Sequence, residues 1–278
     1  MINISAADVN KLRQMTGAGM MDCKKALQET EGDFDKAIDY LRKKGQKVAE
    51  KRADRDANEG IVLAKTTEDH TYGAVVMLNC ETDFVGKTEE FKQFGKDIIA
   101  LGVHNRTRSV EELTKLKIGN ITIEEKLNEM LGKTGEKIQI AHFEFIESPF
   151  VTAYNHHGNR LATILGLNKK EAKNVREIGH ELAMQVAAMS PIAIDKDDVS
   201  PKAVEREIEI GKEQARQEGK PEEMLEKIAT GKLTKFFKER TLLNQDFVRD
   251  SKKTVRQYLA ENDKDLTVTG FKRLMLGD

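Results

Sequence analysis

Tyr72-Gly73-Ala74-Val75-Val76-Met77-Leu78-Asn79-Cys80-Glu81-Thr82-Asp83-Phe84-Val85 opens as an apolar run of strand length and closes on a polar corner. Beyond that corner Phe91, Phe94, Ile98 and Leu101 recur at the spacing of one helix face, so strand gives way to helix within a few residues. Upstream, Ile61–Thr66 is a second short apolar run, and the polar Glu68-Asp69-His70 between the two predicts a hairpin. Downstream, Ser109 with Glu112 and Thr122 with Glu125 have the spacing of capping boxes and start two more helices. The order then recurs. Ile138–Ile146, Phe150–Tyr154 and Leu161–Leu167 read as strands, and Val175, Ile178, Leu182 and Val186 share the face of a following helix. The alternation within 138–146 changes phase near Ile140, which leaves two readings: a bulge, or a strand buried on both faces. A last strand is expected at Thr267–Leu276. The fold class is therefore α+β, with two related α+β subdomains expected at 56–146 and 147–278.

Residues 1–55 are a different unit, a three-helix module followed by a basic linker. Ser5, with Asp8 three residues on, caps a helix whose apolar face is Val9, Leu12 and Met15, and Thr16-Gly17-Ala18-Gly19 breaks it. A second helix runs from about Met20 to Thr30 and ends at Gly32. Asp33 caps a third, with Ala37, Ile38 and Leu41 facing inward before Gly45, and the charged segment 46–58 is expected to be exposed. Residues 201–240 also stand apart. Fourteen of the twenty-six residues from Lys202 to Lys227 are charged, on a thin seam of Val204, Ile208, Gly211 and Ala215. Glu218-Gly219-Lys220-Pro221 turns the chain, so this segment is expected to protrude as a helical hairpin.

Composition narrows the function. With 46 basic and 47 acidic side chains, the chain lacks the cationic excess of a protein that grips nucleic acid through its phosphates. The imbalance is local: residues 1–55 hold 12 Lys/Arg against 9 Asp/Glu, and seven of those bases lie in Arg42–Arg55. By default that run is a solvated linker. Two cysteines imply no disulfide framework and fit a reducing cytosol, and no apolar run has the roughly 20 residues of a membrane span. The first residues lack the basic and apolar regions of a secretory signal, so a cytoplasmic protein is expected.

Catalytic patterns fail one by one. Gly132-Lys133-Thr134 lacks the phosphate-loop glycine five residues earlier, where Leu127 stands. His180-Glu181 begins a zinc-protease pattern, but the second histidine is replaced by Met184. His156 and His157 are adjacent, which on a strand sends them to opposite faces and rules out a shared metal. A hydrolase built on His142, His156 and His157 fails on the same spacing. An interaction protein without catalytic residues, metal or cofactor is expected.

Two segments carry a resemblance. They are Leu12-Arg13-Gln14-Met15-Thr16-Gly17-Ala18-Gly19-Met20-Met21-Asp22-Cys23-Lys24-Lys25-Ala26-Leu27 and Leu78-Asn79-Cys80-Glu81-Thr82-Asp83-Phe84-Val85. In this order and separation they closely resemble the elongation factor Ts family. Gly135-Glu136-Lys137-Ile138 ahead of a strand, Tyr154 with His156, and Leu242, Gln245, Phe247 and Val248 extend the resemblance over essentially the whole chain. There are departures. Met77 stands where the family usually has an acid or amide, Gly86 replaces the usual Ser or Ala, and His156-His157-Gly158-Asn159-Arg160 is rearranged. The C-terminal helical extension of some members is expected to be lacking.

The resemblance implies a ubiquitin-associated-type module, a body of two α+β subdomains and an inserted coiled-coil hairpin. It also implies a partner, elongation factor Tu in its GDP-bound and nucleotide-free forms, whose GDP release the chain promotes without binding nucleotide itself. Thr82, Asp83, Phe84 and Val85 inherit the role of a wedge near the partner's Mg²⁺ and phosphate site. Arg13, Met20, Met21 and Lys24 border the docking face, and His156 is a further contact. No membrane and no specific nucleic acid are implied, and self-association through the hairpin is a further expectation. Without the resemblance these residues read more plainly: Phe84 as its own core, Asp83 as a turn cap, and Arg13 and Lys24 as solvated charges. One of Met20 and Met21 is expected in the core, since neighbours on a helix point about 100° apart. Cys23 and Cys80 read as small buried residues. An adaptor working through residues 5–45 is the alternative function, and it leaves Thr82–Val85 unexplained.

Overall fold

Residues 4–51 and 55–278 are described by a computed structural model; within 46–51 the backbone alone is described. The N-terminal module consists of α1 (Ala6–Thr16), α2 (Met20–Glu29) and α3 (Phe34–Lys51). Ser5 caps α1 by accepting from Asp8 N, and Gly17 ends it in the left-handed conformation, at φ 69°. Val9, Leu12, Ala18, Cys23, Ala26, Leu27 and Ala37 form the module's small core. Two expectations fail here. Met15 is exposed, because Thr16, one turn after Leu12, takes the inward position and bonds Leu12 O at 2.8 Å. Gly45 does not end α3, which continues to Lys51. It is buried where α3 crosses a later helix, and a Cβ there would lie 2.9 Å from the Asn128 carbonyl oxygen. The glycine permits close approach, where the sequence suggested a stop. Residues 52–54 of the expected linker lie outside the described residues.

β1 (Glu59–Thr66) and β2 (Tyr72–Cys80) form the expected antiparallel hairpin. Asp69 organises its turn by accepting from Thr67 Oγ1, Thr71 N and Thr71 Oγ1, and these bonds hold its carboxyl well below the usual range. The single turn α4 (Asp83–Gly86) follows, then α5 (Glu89–His104) and α6 (Val110–Lys115). A two-residue ribbon of β3 (Lys117–Ile118) and β4 (Ile121–Thr122) leads into α7 (Ile123–Thr134) and β5 (Ile138–Glu147). The sheet order is β1-β2-β5. Leu78 pairs with Ile140 and Met77 with His142, so Ala141 is a bulge. The bulge keeps the apolar side chains on one face, with Ile138 and Ile140 before it and Phe143 after it. It settles the phase change seen in the sequence. Phe91, Phe94, Ile98, Ile99 and Val103 of α5 cover that face. Thr122 makes a full capping box with Glu125, whereas Glu112 reaches past Ser109 to Arg108 N at 2.8 Å.

The second half repeats the plan. β6 (Phe150–Asn155) and β7 (Leu161–Leu167) precede α8 (Val175–Met189), which packs Ile178, Leu182 and Val186 over Phe150, Leu165 and Leu167. The hairpin follows as α9 (Pro201–Gln217) and α10 (Glu222–Arg240). Its buried residues are Gly211, Ala215, Leu225 and Ala229, while Val204 and Ile208 are only half-buried. The sequence did not anticipate β8 (Asp246–Phe247), β9 (Asp250–Thr254) or α11 (Val255–Asn262), although Thr254 and Gln257 carry the capping-box signature. β10 (Val268–Met275) completes a sheet of order β10-β7-β6.

The two sheets lie face to face. Val62, Ala64, Val75 and Met77 meet Ala162, Ile164 and Leu276 in a shared layer, with α5 outside one sheet and α8 outside the other. β1, an outer strand, is also tied to the end of β6 and to the connection that follows it. Ala64 N donates to Asn155 Oδ1 at 2.7 Å, Asn155 Nδ2 donates to Ala64 O at 2.9 Å, and Val62 N donates to Asn159 O at 2.7 Å. Among the described residues no helix is long and apolar enough to cross a membrane.

Candidate partner-binding site

The corner after β2 is built so that a phenyl ring faces solvent. Thr82 caps α4 by accepting from Val85 N, and its carbonyl accepts from Gly86 N at 3.2 Å. Both hydrogen-bonding groups on its other side go to one carboxylate: Thr82 N donates to Glu136 Oε2 at 3.0 Å, and Thr82 Oγ1 to Glu136 Oε1 at 2.7 Å. The adjacent Lys137 N donates to Glu81 Oε1 at 2.7 Å. Cys80 Sγ donates to Thr82 O from beneath, and burial pushes that thiol's pKa up to about 12. Val85 turns inward onto the core of the first sheet, and Gly86 is buried. Phe84 is left 82% exposed, so the reading of it as a core residue is overturned. An inward Phe84 would have to displace Val85, which already fills the inward position of this four-residue turn. Asp83 lies in the first turn and pairs with Lys87, which holds its carboxyl below the usual range.

Around the α1–α2 break, Met15, Met20 and Met21 are all exposed, the last two at 52% and 74%. The expectation that one of Met20 and Met21 belongs to the core is therefore wrong. α2 turns Cys23, Ala26 and Leu27 inward, and its first turn projects beyond the module's core. Arg13 and Lys24 are exposed on the same two helices. A cleft of about 490 Å³, between this module and α7, is lined by Met15, Gly17, Arg42, Glu129 and Lys133 among others. Ion pairs cross or border it: Arg42 with Glu129, Lys44 with Asp22, and Lys133 with Glu90.

His156 lies elsewhere, in the turn after β6. Its Nδ1 is 2.8 Å from the Tyr154 hydroxyl, and Tyr154 also packs edge-on against His180. His156 and His157 are in a turn, so the strand geometry assumed for them does not apply. Tyr154, His156, Phe247, Val248 and Arg249 border a second pocket of about 420 Å³. Val248, at the exposed tip of β8–β9, is held by Gln185, whose Oε1 accepts Val248 N at 2.8 Å and whose Nε2 donates to Gln245 Oε1 at 3.1 Å. No group of three or more potential metal ligands occurs among the described residues.

Residues 81–278 match the family described as elongation factor TS. The chain is 49% identical over 274 residues to an elongation factor Ts of Amoebophilus asiaticus, covering 99% of each chain. It is 50% identical over 277 residues to that of Cytophaga hutchinsonii, covering 99% of this chain and 100% of the other. With that of Flavobacterium psychrophilum it shares 50% over 279 residues and the full length of both. The chain belongs to the elongation factor Ts family. It is thus an elongation factor of protein synthesis.

The geometry does not require one departure from the elongation factor Ts pattern. A Cβ at Gly86 would sit 3.4 Å from Cys80 Sγ and 3.5 Å from Gly60 Cα, ordinary contact distances, so the backbone there tolerates an Ala methyl. Met77 is buried between the sheets. The hydrogen bonds of Glu136 to Thr82 were not foreseen from the sequence. The only signal was its place in Gly135-Glu136-Lys137-Ile138, and the pairing spans 54 residues.

Proposed function

We propose that this chain is the guanine-nucleotide exchange factor of elongation factor Tu, acting in the cytoplasm. The observation that supports it best is Phe84, a large apolar ring held out into solvent on a turn whose backbone is bonded on both sides. An exposed ring on a fixed base costs little ordering entropy when a partner buries it. A ligand shifts a conformational equilibrium only by its differential affinity for the two states. The ring must therefore enter an apolar gap that opens when the GTPase loosens its Mg²⁺ and phosphate ligands. Burying it supplies about 1.5–3 kcal/mol, or about one to two decades of affinity. Further contact must come from other surfaces, for which Met15, Met20 and Met21 with Arg13 and Lys24 are suited.

The halves 56–146 and 147–278 are proposed as its two body subdomains, which the facing sheets and their separate helices support. Stopped-flow release of fluorescent GDP from elongation factor Tu tests the activity. Catalytic amounts of the protein should accelerate release, and an unchanged rate would refute the proposal.

A further inference from the structure

We infer that Glu136 is the positioning residue for Phe84 in nucleotide exchange, an inference that rests on the function just proposed. This side chain lies on a separate element, just past the end of α7. Gly135 turns the chain there with φ 73°, and Glu136 N donates to Thr134 Oγ1 at 3.2 Å, so the carboxylate is set by its own backbone before it meets α4. It then accepts from both Thr82 N and Thr82 Oγ1. Thr82 Oγ1 in turn accepts from Val85 N, and Thr82 O from Gly86 N. These bonds run continuously from α7 to the two residues that follow Phe84.

The local turn alone cannot do this. Four residues form one turn, and isolated turns are unfavourable in water because nucleation fixes many dihedrals for one bond. A ring on such a turn, if released, samples many directions, and each order of magnitude in the population of the productive one is an order of magnitude in apparent affinity. Two bonds to a charged carboxylate are strong enough to select one geometry. Glu136 is half-buried beneath α4 and Phe84 points away into solvent, so the carboxylate acts through the turn and does not need to touch the partner.

The test uses the full chain, elongation factor Tu and fluorescent GDP. Glu136→Ala should slow stimulated release about tenfold to a hundredfold, the value of losing bonds to a charged group. Glu136→Gln can still accept from Thr82 N and donate to Thr82 Oγ1, and should recover most of the rate. If the charge itself met the partner, Gln would fare no better than Ala, and the inference would fall. The double variant decides the route. On a Phe84→Ala background Glu136→Ala should cost nothing further, whereas the same cost in both backgrounds overturns positioning.

Hydrogen exchange gives a readout independent of the partner. In Glu136→Ala the amides of Thr82, Val85 and Gly86 should exchange faster while those of β2 keep their protection. Loss of protection in β2 as well would make Glu136 a residue of general stability and overturn the inference. The unaltered chain reports on the proposed function, and Phe84→Ala on the wedge. A normal rate in that variant rejects the wedge role of Phe84 and this inference with it, while the exchange activity stands. No acceleration by the unaltered chain rejects the function. A slow rate in Phe84→Ala with a normal rate in Glu136→Ala rejects only the positioning role.

Discussion

The α4 turn and the α9–α10 hairpin both carry apolar side chains out into solvent, but for opposite reasons. α4 has four residues and exposes a single ring, and it is bonded to β2, to the end of α7 and to the core beneath. The hairpin runs from Pro201 to Arg240, and its exposed Ile210 and Met224 follow from a seam so narrow that Gly211 and Ala229 nearly touch. Exposure in α4 is imposed by a scaffold, whereas exposure in the hairpin reflects a shortage of apolar neighbours. A side chain meant for a partner is recognised by the effort spent on its base, more than by its own exposure.

Phe91, seven residues after Phe84, provides the sharpest contrast, since it is fully buried at the start of α5. Phe91→Ala should lose about 3–5 kcal/mol in denaturant melts. Phe84→Ala should stay within about 0.5 kcal/mol while slowing GDP release. Equal stability losses in the two variants would erase the distinction. A smaller effect is expected from the hairpin. Replacing Pro201–Thr230 by a short Gly/Ser link should leave a single cooperative melt shifted by less than about 4 °C. Collapse of that melt would show that the hairpin holds the body together.

The smallest effect concerns the thiols. Burial raises the pKa of both Cys23 and Cys80, and at Cys80 the charges of Glu136 and Glu59 add to it. Iodoacetamide at pH 8 should leave both unmodified in the native chain and label both after unfolding, as read by mass spectrometry. The unfolded chain releases the Cys80 proton first, so that group's contribution to stability should decline as pH rises from 9.0 toward about 12.

Most of the fold could be read from apolar runs and helical spacing between Ile61 and Val186, the phase change at the Ala141 bulge being the one break in the strand pattern. The failures have different causes. Gly45 was misread because its surroundings come from a crossing helix distant in sequence, and Met15 because its neighbour Thr16 takes the inward position instead. α11 was missed although Val255, Tyr258 and Leu259 stand at helical spacing behind its capping box, because it spans only eight residues, and the β8–β9 ribbon is shorter still and largely polar. At the candidate site, pattern alone placed Phe84 in the core, and only resemblance turned it outward. Glu136 stood in a stretch that carries the resemblance, but its contact with Thr82 was silent, since a carboxylate that bonds a residue 54 positions away leaves no local pattern.

The bonds from Asn155 to Ala64 have a consequence for how copies of this chain behave in crowded conditions. β1 is one of the two outer strands of its sheet, and an outer strand presents a row of donors and acceptors that a stranger's strand can zip onto. Here the amide of Asn155 imitates one residue of such a stranger, taking both the N–H and the C=O of Ala64, while the Asn159 carbonyl takes the N–H of Val62. The molecule thus carries its own blocking group against edge-to-edge polymerisation, supplied by the facing sheet.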